Sequence, residues 1–130
     1  MKRLALALAI AAAPGLSLAS SPSSKLEKML ERIDPSERFI QACSYAAAER
    51  IGHDGNPYHP DRAVMDSISP PVVRGNLMKG TGGAFRSGGA WYQFSFDCAA
   101  SPDHMKVLSF DYRVGAKIPE DKWEQYGLWR

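Results

Sequence analysis

The sequence has no apolar run long enough to cross a bilayer. Its longest run, residues 4–13, holds about ten residues, whereas a membrane-spanning helix needs roughly 20. Lys2 and Arg3 precede this run, and the small residues Ser17 and Ala19 follow it, which is the layout of a secretory signal peptide. We therefore predict that residues 1–19 are cleaved after Ala19, leaving a periplasmic or secreted protein with no integral membrane segment. The weaker alternative is that this run stays on the protein as an anchor.

The mature chain also lacks an excess of charge of either sign. Removal of Lys2 and Arg3 takes two of the 16 basic residues, so 14 basic residues face all 14 acidic ones. A neutral chain without a basic patch does not fit the phosphate backbone of nucleic acids, and we exclude nucleic acid as a partner. The remaining length suits one domain. We expect a polar tether and a short helix in residues 20–33, followed by a single compact domain in residues 34–130.

Cysteine is scarce, with only Cys43 and Cys98 in the chain. An exported protein of this size is expected to join them, because oxidising compartments form disulfides and small domains gain stability from them. Closing this loop would stabilise the fold by about 4 kcal/mol on the chain-entropy model. The alternative is two separately buried thiols. A reactive dithiol is disfavoured because such pairs usually lie close in sequence.

Two helices are predicted in the first half of the mature chain. In residues 26–33 apolar side chains recur every three or four positions, which indicates a short amphipathic helix. Asp34 and Pro35 form a strong start signal for a second helix, because Asp caps free amides and Pro suits the first helical position. Gly52 is expected to end this helix. Cys43 falls in the middle of its apolar stripe.

Two later segments, residues 90–98 and 105–114, alternate apolar and polar side chains and are predicted strands. In residues 90–98 the alternation places Trp91, Gln93, Ser95 and Asp97 on the outward face. In residues 105–114 it places Ser109, Asp111 and Arg113 outward. The residues predicted to face inward are Tyr92, Phe94, Phe96 and Cys98 in the first segment and Leu108, Phe110, Tyr112 and Val114 in the second.

The remaining segments carry weaker signals. Residues 53–60 are predicted to form a loop, residues 61–67 a helical turn, and residues 72–79 one strand that the glycines of 80–83 loosen or bulge. A short helix is expected after Pro119. The predicted fold is therefore α+β, with two N-terminal helices packed on a three- to four-stranded antiparallel sheet and a short C-terminal helix.

Several joined segments resemble the bacterial domain of unknown function family 930. They are RFIQAC at 38–43, GAFRS at 83–87, WYQFSFDC at 91–98, HMKVLSFDYRVG at 104–115 and IPEDKW at 118–123. The resemblance extends from about Asp34 to Leu128. It implies an exported bacterial protein that carries this cysteine pair, and it supplies no activity and no catalytic residue.

The loop at residues 53–61 holds four possible metal ligands, His53, Asp54, His59 and Asp61. Their spacing matches no standard zinc motif, and two prolines limit how the loop can fold back. Histidine and aspartate are also ordinary loop residues. We therefore assign no metal ligand and no cofactor.

No recognisable catalytic set is present. Residues 80–86 have the glycines of a phosphate loop but not its lysine and helix, and no serine lies in a nucleophile elbow. Asp97, Asp103 and Asp111 could pair carboxylates for glycoside chemistry, although isolated surface carboxylates are commoner. We assign no catalytic residue.

A possible binding surface is formed by Arg74, Arg86 and Trp91, because exposed aromatics beside arginine are typical of interaction hot spots. The alternative is that Trp91 packs beneath the C-terminal helix with Trp123. The leading functional hypothesis is a non-enzymatic periplasmic binding or envelope-interaction module for an unknown protein, glycan or lipid of the cell envelope. The alternative is a small envelope hydrolase that uses a histidine or a carboxylate pair, and it predicts a histidine and an acid in one cleft.

Overall fold

The computed structural model describes residues 24–130. The predicted signal peptide and most of the predicted tether lie outside the described residues. The elements are α1 (Ser24–Glu31), α2 (Pro35–His53), β1 (Pro60–Val64), β2 (Val72–Arg74), β3 (Leu77–Ser87), β4 (Ala90–Ala100), β5 (Val107–Lys117) and α3 (Glu120–Trp123). None of the helices in this part of the chain is long and apolar enough to cross a membrane.

The helix α2 begins where the sequence predicts. The Asp34 carboxylate accepts hydrogen bonds from the backbone N–H of Ser36 at 2.9 Å and from its hydroxyl at 2.7 Å, and Pro35 occupies the first helical position. This cap satisfies an amide that would otherwise lack a partner. The inward stripe of α2 is buried and consists of Phe39, Ala42, Cys43, Ala47 and Ile51.

The sheet is antiparallel, and the α+β class is confirmed. It has five strands rather than three or four, in the order β1-β3-β4-β5, with β2 also paired to β3. The prediction of a helical turn in residues 61–67 is wrong, because β1 occupies much of that segment. Tertiary contacts set the structure of β1. Ala63 pairs with Phe85 of β3, and the Ala63 carbonyl accepts a hydrogen bond from the Ser44 hydroxyl of α2 at 2.5 Å.

The prediction of one strand over residues 72–79 is also wrong. The segment is a hairpin in which Val73 of β2 pairs with Met78 of β3. The turn between them contains Gly75 at φ 58°, a left-handed conformation that glycine adopts without a steric penalty. Val73 and Leu77 are both exposed, so this hairpin adds no large apolar side chain of its own to the core at these two positions.

The glycines of β3 allow close packing, and the predicted bulge is confirmed by a register shift between Gly80 and Gly83. A Cβ atom at Gly83 would lie 2.7 Å from the ring of Phe94, and one at Gly82 would collide with the backbone of Ser69. Any larger residue would therefore push the chain apart at these two positions.

The main core lies between α2 and the inner face of the sheet, and the disulfide crosses it. Cys43 of α2 and Cys98 of β4 are bonded, with a Cα–Cα distance of 6.1 Å, and both are fully buried. The predicted disulfide is confirmed. Phe85, Phe94 and Phe110 from three different strands pack in the same cluster.

Leu108 corrects the alternation predicted for the second strand. Its side chain is 68% exposed, whereas Phe110 is buried as predicted. The pairing of β4 with β5 shifts register between Ala99 and Ala100, so Ala99 faces Ser109 while Ala100 faces Val107. Leu108 is the extra residue at this bulge and therefore leaves the inward face.

A second, smaller core covers one end of the outer face of the sheet. Trp91 and Ala84 pack there against Ile118, Trp123 and Leu128 from the C-terminal segment. The indole N–H of Trp91 donates to the backbone carbonyl of Trp129 at 2.8 Å. The rest of the outer face lies beyond this cover.

Candidate binding groove

The outer face of β3, β4 and β5 carries an open groove beyond the C-terminal cover. Its volume is about 500 Å³. We call it the outer groove and define it by four charged residues, Lys79, Asp97, Asp111 and Arg113. The hydroxyls of Thr81 and Ser95 lie among them, and Pro70 and Val72 contribute an apolar wall.

The charged residues form rows across the strands. Lys79 of β3 pairs with Asp97 of β4, and Asp97 pairs in turn with Asp111 of β5. The Lys79 Nζ lies 3.7 Å from an Asp97 carboxylate oxygen. Like charges directly opposite each other destabilise a sheet, so the ammonium offsets part of the repulsion between the two aspartates.

Arg113 extends the pattern by one row. It pairs with Ser95 and lies two positions after Asp111, on the same outward side of β5. The outer groove therefore presents two carboxylates flanked by a lysine on one side and an arginine on the other. Such a surface can bind a ligand that carries both cationic and anionic groups, with the hydroxyls between them as further hydrogen-bond partners.

The structure brings together two of the three residues of the predicted binding surface, because Arg86 and Trp91 are directly opposed on β3 and β4, but it does not expose them as a surface with Arg74. Trp91 is 0% exposed, because the C-terminal segment covers it, so the alternative packing with Trp123 is the one observed. Arg86 is bound by the Asp61 carboxylate, and Arg74 stands apart on the exposed strand β2.

Arg86 has a structural role in this arrangement. Its guanidinium donates two hydrogen bonds to the Asp61 carboxylate, at 2.9 and 2.8 Å, and lies 5.8 Å from the ring centre of Trp91 and 5.9 Å from that of Trp129. The hydrogen bond from Arg86 holds the pKa of Asp61 below its ordinary value. The arginine thus joins the β1 edge to the second core.

The possible metal ligands do not gather. Asp54 accepts hydrogen bonds from Arg50 at 3.2 Å and from the Tyr112 hydroxyl at 2.8 Å, while Asp61 is held by Arg86. Burial, followed by the hydrogen bond to Asp54, raises the pKa of Tyr112. Within residues 24–130 no group of three or more candidate ligands could hold a metal ion.

The histidines lie outside the outer groove. The ring of His104 stacks on Phe39 with centroids 4.3 Å apart, and its Nε2 lies 3.0 Å from the side-chain oxygen of Asn76. His53 and His59 are exposed; His53 is the last residue of α2, and His59 directly precedes β1. The arrangement of a histidine and an acid in one cleft is therefore not formed in the groove.

The three aspartates proposed as carboxylate partners separate into a pair and a single residue. Asp97 and Asp111 face each other in the outer groove. Asp103 lies in the turn before β5, where hydrogen bonds from the Ser101 hydroxyl, at 2.7 Å, and from the Met105 N–H, at 3.1 Å, lower its pKa. Asp103 therefore stabilises a turn.

Sequence reasoning did not single out Lys79 and Arg113 as site residues. The alternation of β4 and β5 placed Asp97, Asp111 and Arg113 on the outward face, and this shared face was the sequence feature that could have indicated a common site. The pairing of Asp97 with Asp111 depends on the register between the two strands, and bulges at both ends of this pairing set that register.

One family model matches the chain, over residues 30–128, and its description is Domain of Unknown Function (DUF930). No curated protein matches the chain. No solved structure matches it either.

Proposed function

This chain belongs to the DUF930 family, whose description assigns no function, and from the outer groove we propose that it is a non-enzymatic binding module of the bacterial cell envelope. The observation that carries the proposal is the open, charged groove of about 500 Å³ on the uncovered part of the sheet. This volume lies within the range of roughly 300–1,000 Å³ of small-molecule sites.

The charges of the groove favour a ligand of mixed charge. Asp97 and Asp111 together attract an ammonium group, and Arg113 suits a carboxylate because its planar guanidinium can bind both carboxylate oxygens. Trp91 is buried away from the groove, and the two aromatic residues that line it, Phe96 and Tyr112, pack in or against the inner core rather than standing out as platforms for a sugar. The best fit is therefore a peptide that carries both charges, such as the peptide of the bacterial cell wall.

Binding can be tested by titrating the isotope-labelled mature protein with soluble cell-wall fragments that contain peptide and sugar, followed by NMR. We expect shifts of the amide resonances around Lys79, Asp97 and Arg113. The variant Asp97→Asn should weaken these shifts at least several-fold, and the control Asp66→Asn, an exposed residue in the turn after β1, should not. Fragments at millimolar concentration that shift no groove resonance would contradict the proposed ligand.

The location in the envelope has a separate test. We propose that the protein is exported by its N-terminal signal and folds where disulfides form, which agrees with the buried Cys43–Cys98 bond. Fractionation of cells that express the full chain should recover it outside the cytoplasm, with Ser20 as its first residue. Recovery of an uncleaved chain from the cytoplasm would contradict export.

A hydrolase remains the second candidate because of one observation, the facing pair Asp97 and Asp111. Directly opposed residues in an antiparallel sheet have Cβ atoms about 5 Å apart, close to the carboxyl separation of about 5–5.5 Å in retaining glycosidases. A glycosidase also needs burial that keeps a proton on one carboxyl, whereas the Asp97 side chain is 50% exposed and contacts Lys79. Release of reducing sugar from cell-wall glycan, abolished by Asp97→Asn, would favour this candidate over binding alone.

A further inference from the structure

The strand β5 has one edge without a partner. It pairs with β4 along one side, and within residues 24–130 its other side makes no backbone hydrogen bond to any element. It is 11 residues long and contains no proline. A free edge of this length is a template for pairing with another strand.

The charges on this edge are self-complementary. When two copies of β5 pair antiparallel about a two-fold axis through Tyr112, Asp111 of one copy faces Arg113 of the other, and Arg113 faces Asp111. Directly opposed side chains lie about 5 Å apart at Cβ, and opposite charges at this spacing stabilise a sheet. Both residues are exposed on the outer face, so both ion pairs would form on the same side.

The same charges disfavour the neighbouring registers. An axis through residue 111 would place two aspartates opposite each other, and an axis through residue 113 would place two arginines opposite each other. Both arrangements bring like charges together. The stretch around the axis is also regular, because the register shifts of β5 lie outside residues 109–114.

We propose that two copies of this protein associate through antiparallel pairing of β5 with Tyr112 on the two-fold axis, forming one continuous sheet with Asp111–Arg113 ion pairs across the interface. The two outer grooves, to which these residues also contribute, then lie side by side on one face. The dimer does not depend on the ligand of the groove or on whether the groove binds one.

Charge reversal tests the interface. Analytical ultracentrifugation of the mature, disulfide-bonded protein should show a dimer that dissociates on dilution. Asp111→Arg and Arg113→Asp should each weaken association at least tenfold, since each brings like charges together, and the double variant Asp111→Arg/Arg113→Asp should restore it. The control Asp66→Arg should leave the dimer unchanged. A wild-type protein that stays monomeric at millimolar concentration, or single variants that dimerise like the wild type, would overturn the proposal.

A distance measurement tests the register of the β5 pairing without any charge-reversal variant, so its result stands even if those variants fold poorly. In the proposed pairing Ser109 faces residue 115 of the second copy, so the two Ser109 Cα atoms lie about 20 Å apart, six residues at about 3.4 Å each. Ser109→Cys, labelled with a nitroxide while the native disulfide stays intact, should give an electron-spin distance near this value, broadened by the label. A dimer with only much longer distances would overturn the β5 pairing.

Discussion

Removal of the disulfide should cost this protein a large part of its stability. The bond joins residues 55 apart in sequence, and closure of a loop of this length removes about 14 cal/mol/K of unfolded-state entropy, or about 4 kcal/mol at 25 °C. Domains of this size have a total free energy of unfolding of about 5–15 kcal/mol. We therefore expect Cys43→Ala/Cys98→Ala to remain folded only marginally.

Urea denaturation followed by far-UV circular dichroism measures this loss. With a slope of about 2 kcal/mol per molar urea, the midpoint of the double variant should fall by about 2 M. The alanines also leave a small cavity in the core, so the oxidised and reduced wild-type proteins should be compared in the same assay. Reductant should destabilise the wild type and leave the variant unchanged. A loss below about 1 kcal/mol in both comparisons would refute the loop-closure argument.

Three further substitutions test other parts of the fold. Gly82→Ala should destabilise the protein by about 2 kcal/mol in the same assay, because the new Cβ would collide with Ser69; full stability would contradict this close approach. Trp91→Phe should lower the free energy of unfolding by roughly 2 kcal/mol through a lost hydrogen bond and a cavity; an unchanged midpoint would contradict the second core. Asp61→Asn should cause a small loss of thermal stability at pH 7. Arg86 lowers the pKa of Asp61, so the pair contributes fully above pH of about 3.9 and loses its effect as the pH falls through the lower folded value. The gap between variant and wild type should therefore close in acid, and a constant gap from pH 7 to pH 2 would contradict the ion pair.

Local patterns predicted the helices and the central strands well. Asp34 and Pro35 marked the start of α2 because capping is a local interaction. The alternation of β4 and the apolar stripe of α2 placed Cys98 and Cys43 on facing surfaces, so the disulfide followed from two patterns and the cysteine count. These features depend on residues close together in sequence, and a single sequence contains that information.

Features that depend on distant residues were missed. The strand β1 has little alternation of its own and forms through pairing with β3, which a local pattern does not reveal. Leu108 was misplaced because one extra residue in β5 interrupts the alternation. Trp91 was ambiguous because its cover comes from residues near the end of the chain. The outer groove was missed as a unit because Asp97 and Asp111 meet only through a register that bulges determine.

The placement of the indole side chains decides which optical signal reports on which part of this molecule. All three tryptophans of the chain lie on the side of the sheet that the C-terminal segment covers. Trp91 and Trp123 lie in the second core, and the centre of the Trp129 ring is 5.2 Å from that of Trp91. Intrinsic fluorescence therefore follows the detachment of this segment and does not directly detect events around the sulfur bridge. Melting curves from fluorescence and from circular dichroism will coincide only when both sides of the sheet come apart together.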